Sequence, residues 1–186
     1  KSIDQLLHPN FNEESLKQAT VVSKMGLPAS PGAATGKVVF SAEEAKLQAE
    51  NGNKVVLMRP ETSPEDIEGM VASEAIVTTH GGMTSHAAVV ARGMGKCCVT
   101  GCSNVEIDTV NKTVYYPEGE LHEGDIVSVD GSAGDLYLGA IETVNAEHSE
   151  EFDQFMTWSE EIARLQVRMN AETPQDIKAG YNFGSK

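Results

Sequence analysis

The chain has 186 residues, 40% hydrophobic and 23% charged, the balance of an ordinary soluble domain with length to spare. Its formal net charge of −14 repels nucleic acid and anionic membranes and argues against both as partners. No apolar run approaches a membrane span, and the opening "KSIDQLLHPNFNEESLKQ" has neither a signal-peptide core nor Arg-rich transit character.

Without an initiator Met, the chain is expected to be a piece of a larger protein. Residues 1–24 are polar with sparse apolar positions (Leu6, Leu7, Phe11, Leu16, Val21, Val22) and suit a partly helical linker. "GLPASPGAATGKVVF" crowds Pro and Gly ahead of a β-rich run, which predicts a loop and then a strand at about 36–41. "SAEEAKLQAENG" predicts a helix capped by Ser41 and closed before Gly52. "KVVLMR" reads as a buried strand. "TSPEDIEGMVASE" reads as a second helix with Ser63 as cap, Pro64 at the first position, and Glu65, Asp66 and Glu68 on its polar face. "AIVTT" is a third strand.

A helix over about 85–94, ended by Gly93 and Gly95, follows the turn "HGGMTS". The pattern then becomes β: "KCCVTG", "VEID", "TVYY" and "DIVSVDGSAGDLYLG", the last folding two strands around its Asp-Gly-Ser-Ala-Gly turn. These elements predict a compact α/β domain over 25–140 with a mixed sheet and helices packed on it. Residues 141–165 read as a helical linker, and 166–186 as the strand and helix that open a further α/β domain. Between Thr113 and Ala163 there are thirteen Asp and Glu and no Lys or Arg. That stretch is read as a solvated face, with docking to a basic surface as the alternative.

Cys97, Cys98 and Cys102 offer neither a disulfide framework nor metal-ligand spacing, so they are expected to be buried free thiols. The chemistry concentrates in "HGGMTSHAAVV", residues 80–90. Gly81 and Gly82 allow a sharp turn and close approach to a ligand. Thr84 or Ser85 can cap the following helix, whose first-turn amides and dipole favour an anion. His86, in that first turn, has a ring nitrogen able to attack an electrophile. Together these are the parts of a phosphoryl acceptor. Arg92 is read mainly as a surface or packing residue, and His8, His122 and His148 are assigned no chemistry.

"GGMTSHAAVVARGMGKCCVTGC" resembles the phosphohistidine motif of the phosphoenolpyruvate-utilising enzymes, as do "LPASPGAATGKVVF", "RPETSPEDIEGM" and "IDQLLHPNF". Met83, "KCC" and "LLHP" are most similar to the pyruvate, phosphate dikinase branch. The resemblance implies a swivelling β/β/α phosphohistidine domain at 25–140. The flanking pieces would be the linker from an absent nucleotide-binding (ATP-grasp) domain at 1–24 and the start of a truncated C-terminal TIM barrel at 166–186. It implies that His86 takes a pyrophosphoryl group from ATP, loses the terminal phosphoryl to phosphate to form pyrophosphate, and hands the remaining phosphoryl to pyruvate. Gly81, Gly82, Thr84 and Ser85 would bind the phosphate.

Thr84 matches a threonine that is phosphorylated for regulation in plant members. His80 stands where members usually carry Arg and is a second possible acceptor, with His86 preferred for its Thr-Ser prelude. Mg²⁺ is implied on the absent domains, with no metal site in this chain. A homodimeric full-length enzyme is also implied, in a cytoplasm or an organelle such as a plastid or glycosome. Two other readings stay open: the same carrier step with another acceptor, as in phosphoenolpyruvate synthase, or a non-enzymatic anion-binding module.

Overall fold

The computed structural model describes residues 8–144, 154, 157–159, 161–163 and 177. It comprises two units, Lys1–Glu147 and His148–Lys186. In the second, the described residues are helical apart from Ala163, whose amide donates to Ser159 O at 2.9 Å. The strand expected near 166 lies outside the described residues.

The first unit begins with β1 (Asn10–Phe11) and α1 (Glu13–Gln18), whose cap Asn12 accepts from the amides of Glu14 and Ser15. Within the stretch expected to be a linker, the helix is therefore joined by strands. Next come β2 (Val21–Ser23), β3 (Leu27–Ser30) and β4 (Ala33–Val39). α2 (Ala42–Glu50) starts as its sequence predicts, with Ser41 Oγ accepting from Glu44 N at 3.1 Å. After β5 (Val55–Arg59), a 3₁₀ turn at Pro64–Asp66 leads into α3 (Ile67–Ala72) and then β6 (Ala75–Thr78).

α4 (His86–Met94) ends at Gly95, which takes the left-handed conformation (φ 64°) while its amide bonds back to the helix. Gly93 is therefore inside the helix and does not end it. β7 (Cys97–Thr100), β8 (Glu106–Asp108), β9 (Thr113–Tyr116), β10 (Gly119–His122), β11 (Ile126–Asp130), β12 (Asp135–Leu138) and β13 (Thr143–Val144) complete the unit.

The main sheet has eight strands in the order β2-β12-β11-β4-β5-β6-β7-β3. β4, β5, β6 and β7 run parallel, and the remaining pairings are antiparallel. This is the expected mixed α/β architecture. Strand alternation sorts the core into two faces. Val39, Val55, Leu57, Ile76 and Cys98 face Ala45, Met70, Ala87, Ala88 and Ala91 of the helices. Val38, Val56, Met58, Val77 and Val99 face away, packing with Val105 and with Ile107, Val114 and Leu121 of the three-stranded sheet β10-β9-β8. The alanines of α4 let that helix sit close to the sheet, and this fixes its amino end.

Two readings of side chains are corrected. Asp66 is not on a solvated face: it is buried, and its Oδ2 accepts from Ser63 N at 2.8 Å and Ser63 Oγ at 3.2 Å, with Arg59 Nε 3.6 Å away. "LPAS" is not loop but the edge strand β3, paired with β7. A proline survives there because an edge strand leaves one row of amides unpaired. Among the described residues, no helix is long and apolar enough to cross a membrane.

All three cysteines are free and buried, as expected. Burial pushes the Cys98 and Cys102 thiols up to about 12 and raises Cys97 as well. The unfolded chain gives up these protons near 9, whereas the folded chain holds them to about 12. Stability from the thiols is therefore complete below pH 9 and lost as pH rises toward 12. Denaturant midpoints should fall between pH 8 and 10.5, and a disulfide-exchange reagent at pH 8 should titrate no cysteine until the protein is unfolded.

Candidate functional site

Because β4 to β7 are parallel, their carboxyl ends share one edge of the sheet, where α/β proteins hold their ligands. Three segments meet at that edge: 60–63 after β5, 79–85 after β6, and 101–105 after β7. Gly81 makes the turn in the second at φ 93°, and a Cβ there would sit 2.7 Å from Ser85 Cβ. A turn follows, with Ser85 N donating to Gly82 O at 3.0 Å. Ser85 is the N-cap of α4, its Oγ accepting from Ala88 N at 3.4 Å, and His86 is the first helical residue. The predicted residues Gly81, Gly82, Thr84, Ser85 and His86 thus form one continuous surface, with Thr84 exposed and His86 half-buried.

The first turn of α4 carries no acidic residue, whereas α1 opens with Glu13 and Glu14 and α2 has Glu43 and Glu44 in its first turn. Its dipole end is therefore left for an external anion. The amides of His86 and Ala87 have no intrahelical acceptor.

A residue missed at the sequence level completes the site. Thr62 Oγ1 lies 3.0 Å from His86 Nδ1. When Nδ1 carries the proton and donates to Thr62, Nε2 keeps its lone pair and becomes the nucleophilic atom. The only signal for Thr62 is its place in "RPETSPEDIEGM", since the contact spans 24 residues.

Arg92 is a tether: Nη2 donates to Met83 O at 2.6 Å and Nη1 to Ala29 O at 3.1 Å, joining the loop to β3. His80 is exposed. Its backbone amide donates to Pro60 O at 2.8 Å and its carbonyl accepts from Thr78 Oγ1 at 2.7 Å. It lines a groove with Pro60, Thr79, Ser103, Val105, Glu106 and Ile107. Among the described residues, no three His, Cys, Asp or Glu side chains are grouped to hold a metal ion.

A half-buried histidine, held by one hydroxyl, thus lies at an uncompensated helix start behind a glycine turn in a mixed α/β domain. Residues 51–134 match the family model described as PEP-utilising enzyme, mobile domain. Over its full length it is 53% identical to a pyruvate, phosphate dikinase of Clostridium symbiosum, of which it covers 21%. It is 48% identical to the chloroplastic pyruvate, phosphate dikinase 1 of Arabidopsis thaliana over 99% of this chain and 19% of that one. A solved structure of an enzyme I protein overlaps at TM-score 0.35 with 24% identity, covering 58% of this chain and 36% of that one. The chain spans about a fifth of the length of the curated relatives it matches, and those relatives are phosphotransferases.

Proposed function

We propose that this chain is the phosphoryl-carrying domain of an enzyme that interconverts ATP, phosphate and pyruvate with AMP, pyrophosphate and phosphoenolpyruvate, and that His86 is the carrier. The observation that bears most weight is the placement of His86, with Nδ1 3.0 Å from Thr62 and its ring at the uncompensated start of α4.

His86 Nε2 attacks the β-phosphorus of ATP, and the bond to the α-phosphate oxygen breaks to release AMP. Inorganic phosphate then takes the terminal phosphoryl as pyrophosphate. The phosphoryl left on Nε2 passes to the enolate oxygen of pyruvate, and the nitrogen regains its lone pair. The first-turn amides and the Gly81–Ser85 loop balance the phosphoryl charge in each state. A swivelling domain joined by linkers would carry one histidine between an ATP-grasp domain and a TIM barrel lying outside this chain. The full-length enzyme would be a homodimer. Mg²⁺ would be held by the nucleotide- and pyruvate-binding domains and would supply charge neutralisation on the phosphates there. This chain alone would not complete the reaction.

The test uses the full-length protein, [β-³²P]ATP and an alkaline quench. Base-stable, acid-labile label on the protein is expected, persisting when phosphate is added while a γ label leaves as pyrophosphate. Absence of label overturns the reading.

Thr62 should matter through orientation. Thr62→Val removes the partner of Nδ1 and should slow labelling about a hundredfold, whereas Thr62→Ser should stay near wild type. Equal rates in all three would show that the ring is oriented by something else.

A further inference from the structure

Two threonines end adjacent parallel strands directly behind the glycine loop. β6 stops at Thr78 and β7 at Thr100, and both residues are fully buried. The register Ile76↔Cys98, Val77↔Val99 brings them side by side one step further on. Ile76 and Cys98 belong to the helix-side core, and Val77 and Val99 to the opposite face. By alternation, both threonine side chains face the helix layer, the side on which α4 packs.

The two hydroxyls differ. Thr78 Oγ1 donates to the His80 carbonyl at 2.7 Å and pins the start of the loop. Thr100 Oγ1 is buried with no hydrogen-bond partner. A buried hydroxyl without a partner is disfavoured relative to a valine of the same shape. The backbone beside it touches the loop: Cys102 N donates to Thr78 O at 3.1 Å, and a methyl group on Gly101 would lie 3.0 Å from Gly81 O.

We propose that Thr100 is a positioning residue for the loop over residues 79–82. Its hydroxyl donates to a backbone carbonyl of that loop when His86 is phosphorylated, and is unpaired when His86 is not. This inference rests on His86 being the carrier. Thr100 touches no phosphate in this scheme. It acts by favouring the setting of the loop that holds the phosphoryl group, and its effect equals the difference in bonding between the two states.

The experiment compares full-length wild type, Thr100→Val and Thr100→Ser. It reads the Tm of the unphosphorylated protein and, after labelling with [β-³²P]ATP, the rate at which phosphohistidine is lost to hydrolysis. Thr100→Val should melt at or above the wild-type temperature yet lose its label about tenfold faster, the scale of one buried hydrogen bond. Thr100→Ser should restore the wild-type lifetime. A Thr100→Val variant with wild-type lifetime overturns the inference. So does one that melts lower before labelling, because its hydroxyl would then be bonded in both states. No label in wild type overturns the carrier reading and this inference together, whereas a labelled wild type with an unaltered Thr100→Val overturns this inference alone.

Discussion

His86→Ala should lose all protein-bound label and all turnover in the full-length enzyme, while His80→Ala keeps both. The two histidines stand at either side of one turn but differ in what backs them. His86 stands at the start of α4, where first-turn amides have no intrahelical acceptor and favour an anion, and its ring is held by Thr62. His80 has no helix behind it, and its groove includes the carboxylate of Glu106, which repels an anion. What His80 gives the fold is backbone, namely its amide to Pro60 and its carbonyl to Thr78, and alanine preserves both bonds. The half-buried His86 side chain makes one side-chain hydrogen bond, so its removal should cost about 1 kcal/mol or less in stability. Quantitative labelling beside a denaturant melt checks both halves. Label surviving in His86→Ala and absent in His80→Ala would move the acceptor to His80.

Gly81→Ala should cut the labelling rate about a hundredfold or more at a cost of about 1–3 kcal/mol in stability. Two physical costs coincide at that residue. Its φ of 93° is one that side-chain-bearing residues rarely adopt, and the new Cβ would lie 2.7 Å from Ser85 Cβ. Ser85 is the cap of α4, so the loop can relieve the clash only by shifting the residue that precedes His86. Gly82 provides the contrast: it has no such φ, and a Cβ there would meet nothing within 4 Å. Gly82→Ala should therefore leave stability within about 0.5 kcal/mol of wild type. Single-turnover labelling of the two variants separates loop geometry from loss of glycine as such, and a Gly81→Ala protein that charges at the wild-type rate would refute the argument.

The parts of this protein that were legible in its sequence are those whose cause is local. Ser41 before a helical run, Pro64 after Ser63, and Thr-Ser ahead of His86 each act within four residues, and the structure places helix starts where those signals stand. The parallel core strands announce themselves as continuous apolar runs because both of their faces are buried. What escaped depends on distant partners. β3 contains Pro28 and reads as loop until β7 is alongside it. β10, "GELH", has one buried residue in four and no pattern of its own. Asp66 reads as a helix-surface acid, and only the fold brings Arg59 to it. Thr62 and Thr100 belong to the same class: neither carries a motif, and each owes its interest to what the folded chain puts beside it or withholds.

The pairing of β1 with β13 sets Asn10 opposite Val144 and Phe11 opposite Thr143. The first and last described strands of this unit therefore lie side by side. A pull applied at both strands would part that ribbon one residue pair at a time and would also have to draw Phe11 from its burial against Tyr137 of β12 and Ile141. Two-stranded ribbons are marginal on their own, so the burial of Phe11 against Tyr137 and Ile141 is what keeps these two strands in place.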